Sequence, residues 1–199
     1  LQSRTLLYDK NSDYHYDTIS AFIKSVRGSD PDAAVYWMAV MLEGGEKPEF
    51  ILRRLIVLAS EDIGNADPRA LQVAVTGFQA TKIIGMPESA IILSQITTYL
   101  ASAPKSNASY VAINQAQEKV KKDGTPDVPL HLRNATTNLM KKDNYGKDYQ
   151  YPHNSNDKFV KENYFPSGLE YTFYEPTNSG YENFIRERLI KNWPERYNS

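Results

Sequence analysis

The sequence predicts a mainly α protein, a helical bundle followed by an aromatic-rich, irregular C-terminal arm that ends in a last helix. Three observations predict it. Pro31, Pro48, Pro68 and Pro87 stand 17, 20 and 19 residues apart, each at the head of an apolar pattern compatible with a helix. Gly28, Gly44, Gly45, Gly64 and Gly85 fall between those patterns, where a left-handed residue stops a helix at little cost. Past residue 123 the periodicity weakens, and eight of the fourteen tyrosines lie at or after Tyr145.

Taken in order, the patterns predict helices over 16–26, 31–43, 48–62, 68–84, 87–101 and 107–122. Proline suits a first helical position because the amide it lacks is unpaired there and its φ is already helical. Asp30 and Asp67 precede two of these prolines and offer carboxylates to the free amides of a first turn. Short connections make successive helices antiparallel neighbours. The regular proline spacing invites a helical-repeat reading, but the signature residues of a tetratricopeptide array do not recur, so a non-repetitive bundle is predicted. In the arm, Pro126 and Pro129 lead into one helix at about 130–142, and "GLEYTFYEP" (168–176) alternates enough for a short strand or extended segment. A last helix spans 180–193 and places Tyr181, Phe184, Ile185, Leu189 and Ile190 on one stripe. The predicted division is therefore a bundle over 1–122 and an arm over 123–199 packed on it as one structural unit. Poorly periodic, aromatic-rich segments are fixed mainly by side-chain packing.

With 199 residues and 41% hydrophobic content the chain can bury a real core. A net charge of −1 gives no global pull toward nucleic acid or membrane. The absence of cysteine excludes disulfides and thiolate zinc sites and fits a reducing compartment. "LQSRTLLYDK" at the start lacks the apolar core of a signal peptide, and no stretch has the 18 or so apolar residues of a membrane span. A cytoplasmic protein is expected. Two glycosylation triplets, at Asn107 and Asn134, are as many as chance supplies.

Catalytic signatures are missing. No GxxxxGK[ST], GxGxxG, HExxH or GxSxG occurs, and His15, His131 and His153 are far apart in sequence with no ligand-spaced neighbours. No catalytic, cofactor or metal residues are assigned. Residues 105–161 form a mild basic belt of ten Lys/Arg against six Asp/Glu. Lys105, Arg133, Lys141, Lys142 and Lys147 are its candidate nucleic-acid contacts, with interleaved tyrosines able to stack on bases. Lysine pairs at helix ends also complement the dipole in water.

The segment "RRLIVLASEDIGNADPR" (53–69) is unusual. Phe50, Ile51, Leu52, Leu55, Ile56, Val57, Leu58 and Ala59 wrap almost the full circumference of a helix, which predicts burial on most sides. Glu61 and Asp62 close it where the dipole disfavours acids, at about 0.3–1 kcal/mol each. Adjacent helical residues point about 100° apart, so the two do not form an acid–base pair. They need cations instead. Arg54 is two turns from Glu61, about 10.5 Å, and cannot reach it on its own helix. The candidates are Arg53 or Arg54 of a neighbouring helix or subunit, Arg69 and Lys82, and Arg53, Arg54, Glu61, Asp62 and Arg69 are the expected interface or buried ion-pair residues.

"SVRGSDPDAAVYW" (25–37), "RRLIVLASEDIGNADPRALQVA" (53–74) and "YLASAPKSNASY" (99–110) resemble the C-terminal half of the replication-associated recombination protein A family, also called MgsA. "DVPLHLRNATTNLMK" (127–141), "YGKDYQYPH" (145–153) and "YFPSGLEYTFYEPTNSGYE" (164–182) are similar to it as well. The resemblance covers nearly the whole chain and is weakest over 154–163 and the last few residues. It implies a clamp-loader-like AAA+ ATPase that depends on DNA, acts at stalled replication forks and single-strand gaps, and includes the eukaryotic Werner-helicase-interacting protein. It implies a collar-like helical bundle, a homotetramer, a nucleoid-associated location and association with single-stranded-DNA-binding protein. The P-loop motor, with its ATP and magnesium, is not in this sequence, so no hydrolysis is expected of this chain alone. The expected function is the oligomerisation collar. A single-strand or fork-end binding module and a helical scaffold for a protein partner are the alternatives, ahead of a stand-alone hydrolase.

Overall fold

The computed structural model describes residues 12–198 and is mainly helical, with no strand among the described residues. The stretch "LQSRTLLYDK" lies outside them. The helices are α1 (Ser12–Arg27), α2 (Pro31–Glu43), α3 (Pro48–Leu58), α4 (Arg69–Ile84), α5 (Ser89–Ser102), α6 (Ala108–Asp123), α7 (Asn138–Lys142), α8 (Glu182–Asn192) and α9 (Pro194–Tyr197). A π-helical turn (Ala59–Ile63) and a 3-10 turn (Gly64–Ala66) connect α3 to α4. None of the described helices is long and apolar enough to cross a membrane. The described chain forms two compact units: residues up to Val111 with Pro176–Phe184, and Ala112–Glu175 with the residues from Ile185 on. This division falls inside α6, between Val111 and Ala112, where the sequence places a boundary at 122/123, and it groups a short later segment with the bundle.

In the first unit α5 packs against α1, α2, α3 and α4, while α1 also packs on α2 and α3. The core is continuous apolar volume, with Phe22, Val26, Met41, Ile51, Leu52, Leu55, Leu58, Leu93 and Leu100 essentially removed from water. Burying each such side chain contributes about 1.5–3 kcal/mol. Local chemistry starts α2 and α3 as the sequence predicts, whereas α4 begins one residue after Pro68 without a side-chain cap and α5 begins at Ser89, two residues after Pro87. Asp30 accepts the Ala33 amide at 2.9 Å and Pro31 opens α2, while Pro48 opens α3. Small residues let α4 approach α5 closely: Ala70, Ala74, Gly77 and Thr81 line the buried stripe. A Cβ on Gly77 would sit 1.8 Å from the Ile96 Cδ1 that fills its notch.

The second unit is built otherwise. The helix predicted at 130–142 is broken into a 3-10 turn (Leu130–Leu132) and α7. Thr137 caps the latter by accepting the Met140 amide at 3.2 Å, so the chain restarts there. The Arg133 Nε donates to the Val128 carbonyl at 2.6 Å, its guanidinium lies 5.3 Å from the Tyr145 ring centroid, and the Gly146 amide donates to the Leu130 carbonyl at 2.8 Å. Gly168 lies in a turn and residues 169–177 form neither helix nor strand; the Tyr171 and Phe173 ring centroids lie 4.3 Å apart. Arg196 lies 4.3 Å from the Trp193 ring centroid and 5.3 Å from that of Phe165, and Lys161 pairs with Glu195 at 2.9 Å. The stripe expected on α8 is offset, since Tyr181 and Phe184 are exposed and Glu182 is buried.

Candidate functional site: a polar node at one end of the bundle

Three chain junctions of the first unit meet in polar contacts. Arg27 ends α1, and its Nε donates to Asp62 Oδ1 at 2.6 Å while a terminal nitrogen lies 3.6 Å from Glu61. Both acids sit in the π-helical turn, where one extra residue per turn shifts them off the α3 register. Asp62 also uses its backbone, whose carbonyl accepts the Ser106 amide at 2.9 Å. The hydrogen bond to Asp62 is the main cause that raises the Arg27 pKa further above its ordinary value. The other carboxylate oxygen, Asp62 Oδ2, is buried without a hydrogen-bond partner, so Arg27 carries the compensation for this charge.

Lys105 completes the second junction. Its ammonium donates to Ser29 Oγ and to the carbonyls of Ala101 and Ala103, at 3.0, 3.0 and 2.6 Å. Three donors thereby meet three acceptors at the C-terminal end of α5, where a cation is favoured. Burial lowers the Lys105 pKa below the ordinary lysine value. At the third junction Asp67 is buried and its carboxylate accepts from the Tyr99 hydroxyl, from the Arg69 amide at 3.2 Å and from Arg69 Nε at 3.0 Å. Burial pushes the Asp67 carboxyl up, but the hydrogen bonds from Arg69 and Tyr99 outweigh it and hold the group below its ordinary range. The same bond raises the Tyr99 hydroxyl.

The segment Pro176–Phe184 clasps this node. The Tyr181 amide donates to the Ala66 carbonyl at 2.8 Å. Gly180 has φ +53°, and a Cβ there would lie 2.2 Å from the Ala66 oxygen and 2.7 Å from Pro104 Cγ, so glycine is required. Glu182 is fully buried and accepts from the Thr177 amide at 3.0 Å and the Thr177 hydroxyl at 2.6 Å.

Within the chain, Glu61 and Asp62 are paired by Arg27, which the sequence expectations did not include. Sequence offers no periodic relation between positions 27 and 62, and both acids sit in the π turn. Arg69 serves Asp67 two residues away, and Lys82 lies 4.6 Å from the Phe78 ring centroid. Arg53 and Arg54 are exposed on α3, and with Val57 at 50% exposure they give that helix an open face in the single chain, beside the buried Ile51, Leu52, Leu55 and Leu58. Lys105 and Arg133 donate to backbone carbonyls within the chain, whereas Lys141, Lys142 and Lys147 are exposed. The three histidines serve separate contacts: His15 reaches Glu46 at 2.9 Å, His131 the Asn163 carbonyl at 3.0 Å, and His153 stacks 5.1 Å from Tyr151.

A family model described as "MgsA AAA+ ATPase C terminal" matches residues 28–193, and one described as "AAA C-terminal domain" matches residues 1–27. The helical bundle and its polar node thus define the C-terminal helical region of an AAA+ ATPase. Replication-associated recombination protein A of Haemophilus influenzae is 49% identical over 191 residues, 95% of this chain and 43% of that protein. The protein of the same name from Escherichia coli (strain K12) is 45% identical over 188 residues, covering 94% and 42%. ATPase WRNIP1 of Dictyostelium discoideum is 46% identical over 171 residues, covering 85% and 20%. The chain belongs to the MgsA C-terminal family, and it spans less than half the length of these relatives.

Proposed function

We propose that this chain is the oligomerisation collar of a DNA-dependent AAA+ ATPase acting at stalled replication forks and single-strand gaps, and that it holds copies together so that their motors surround DNA. The observation that carries the reading is the family match over 28–193 on a bundle that keeps an open, arginine-bearing face on an otherwise buried helix. ATP and magnesium belong, in this reading, to the motor that the longer relatives add, and this chain alone does not turn over ATP. Sedimentation equilibrium tests the reading: the 199-residue chain is expected as a tetramer, and a monomer at all concentrations contradicts it. Phosphate release on adding ATP and single-stranded DNA to this chain contradicts the assignment of hydrolysis to the motor.

A second reading is favoured by one observation in the second unit. Tyr149, Tyr151 and Tyr164 are 44%, 55% and 42% exposed in the segment that carries the exposed Lys141, Lys142 and Lys147. Such a surface suits contact with single strands or fork ends. Anisotropy of a labelled oligonucleotide at two salt concentrations tests it: affinity that falls steeply with salt supports it, and no binding at low salt removes it.

A further inference from the structure

Two sets of charges without an ion pair among the described residues lie on different helices of the bundle; Glu49, one turn before Arg53 on α3, is half-buried. Helix α2 carries Asp32, Tyr36, Ala39 and Glu43 along one exposed stripe and contains no basic residue. Glu43 stands in its last turn, where the dipole disfavours an acid. Helix α3 exposes Arg53, Arg54 and Val57, and the neighbouring α4 has no acidic residue and exposes Leu71 and Val75. Neither Asp32 and Glu43 nor Arg53 and Arg54 form an ion pair with another described residue. Helix α2 packs on α1 and α5, whereas α3 packs on α4, α5 and α1, so the two stripes stand apart on the molecule. Each has a large apolar centre, Tyr36 at 62% exposure and Val57 at 50%.

We propose that copies of this chain dock head to tail, the acidic α2 stripe of one copy (Asp32, Tyr36, Glu43) seating on the basic α3 stripe of the next (Arg53, Arg54, Val57). The proposal rests on the collar reading and specifies its contact. The second copy is the occupant because one molecule carries both halves of a complementary pair and satisfies neither among its described residues. A contact between two unlike flanks is heterologous, and it closes into a ring when the rotation between neighbours permits; a two-fold contact would have to bring both stripes of each copy into one interface. The apolar centres supply the burial, and the charges fix partner and register.

Charge reversal tests it in the 199-residue chain, with circular dichroism to confirm folding. The variants Arg53→Glu/Arg54→Glu and Asp32→Lys/Glu43→Lys each juxtapose like charges, and each alone is expected to weaken self-association by on the order of tenfold or more. An equimolar mixture restores complementarity at both contacts and is expected to recover the wild-type mass by light scattering, as is the chain carrying all four changes. If the wild-type chain assembles and both double variants assemble equally well, or if the mixture fails to recover, the docking flanks are wrong while the collar reading stands. A wild-type chain that is monomeric at every concentration overturns the collar reading and the docking with it. Should reversal unfold either variant, Tyr36→Ser and Val57→Ser replace it, with loss of mass expected and unchanged mass overturning the proposal.

Discussion

The two units achieve order by different means. The first buries a continuous aliphatic core between helices that start at prolines and carboxylate caps. In the second no described side chain is fully buried, and the chain is held by rings, guanidinium groups and backbone turns. Proline itself has opposite effects in the two. Pro31 and Pro48 open helices because apolar periodicity follows them, whereas Pro126 and Pro129 precede a stretch that cannot bury a stripe and breaks after one turn. Local signals decide structure where packing agrees with them and lose where it does not.

The sharpest way to break this comparison is matched truncation. Leu55→Ala in the bundle is expected to cost about 3–4 kcal/mol in denaturant unfolding, and Phe173→Ala in the second unit about 1 kcal/mol. Equal losses would erase the distinction. Next in size is Gly180→Ala, which forces a Cβ onto the Ala66 carbonyl at a left-handed φ and is expected to cost about 2–3 kcal/mol. A neutral result would show that the clasp is not seated as described.

Arg27→Ala follows, at about 1–2 kcal/mol, because it strands the Asp62 carboxylate with one oxygen already unpartnered. The double variant Arg27→Ala/Asp62→Asn should recover part of that loss in a thermal melt. The third junction predicts a pH dependence. The Asp67 carboxyl is held below its ordinary value of 3.8, so the folded state binds its proton more weakly than the unfolded state. Its contribution is present above pH 4 and is lost as pH falls through the lowered folded value. Melting temperature is expected to drop more steeply with acid in wild type than in Asp67→Asn, and parallel curves would refute the assignment. The smallest effect is expected from Arg196→Ala, about 0.5–1 kcal/mol, confined to the second unit.

Much of the bundle was legible in the sequence because period and punctuation agree: α2 runs over 31–43 as the proline and glycine signals indicate, and α4 over 69–84. The end of α3 was not legible. Its predicted helix continues past Leu58, but the chain widens into a π turn that no local pattern announces. The alternation of 168–176 suggested a strand, yet a strand needs a ladder partner and the neighbouring chain supplies rings. The polar node was half visible. Glu61 and Asp62 advertised a need for cations, while their cation lies 35 positions away from Asp62 and shares no periodicity with it.

The node end of the bundle finds its cations within the chain, and the α2 and α3 flanks are those proposed to receive a second copy. Hydroxyl-radical footprinting of the chain below and above its association concentration reads this directly. Tyr36 and Val57 are predicted to lose labelling on assembly, with Tyr99 and Arg27 unchanged. Loss of labelling at the node with Tyr36 and Val57 still reactive would contradict it.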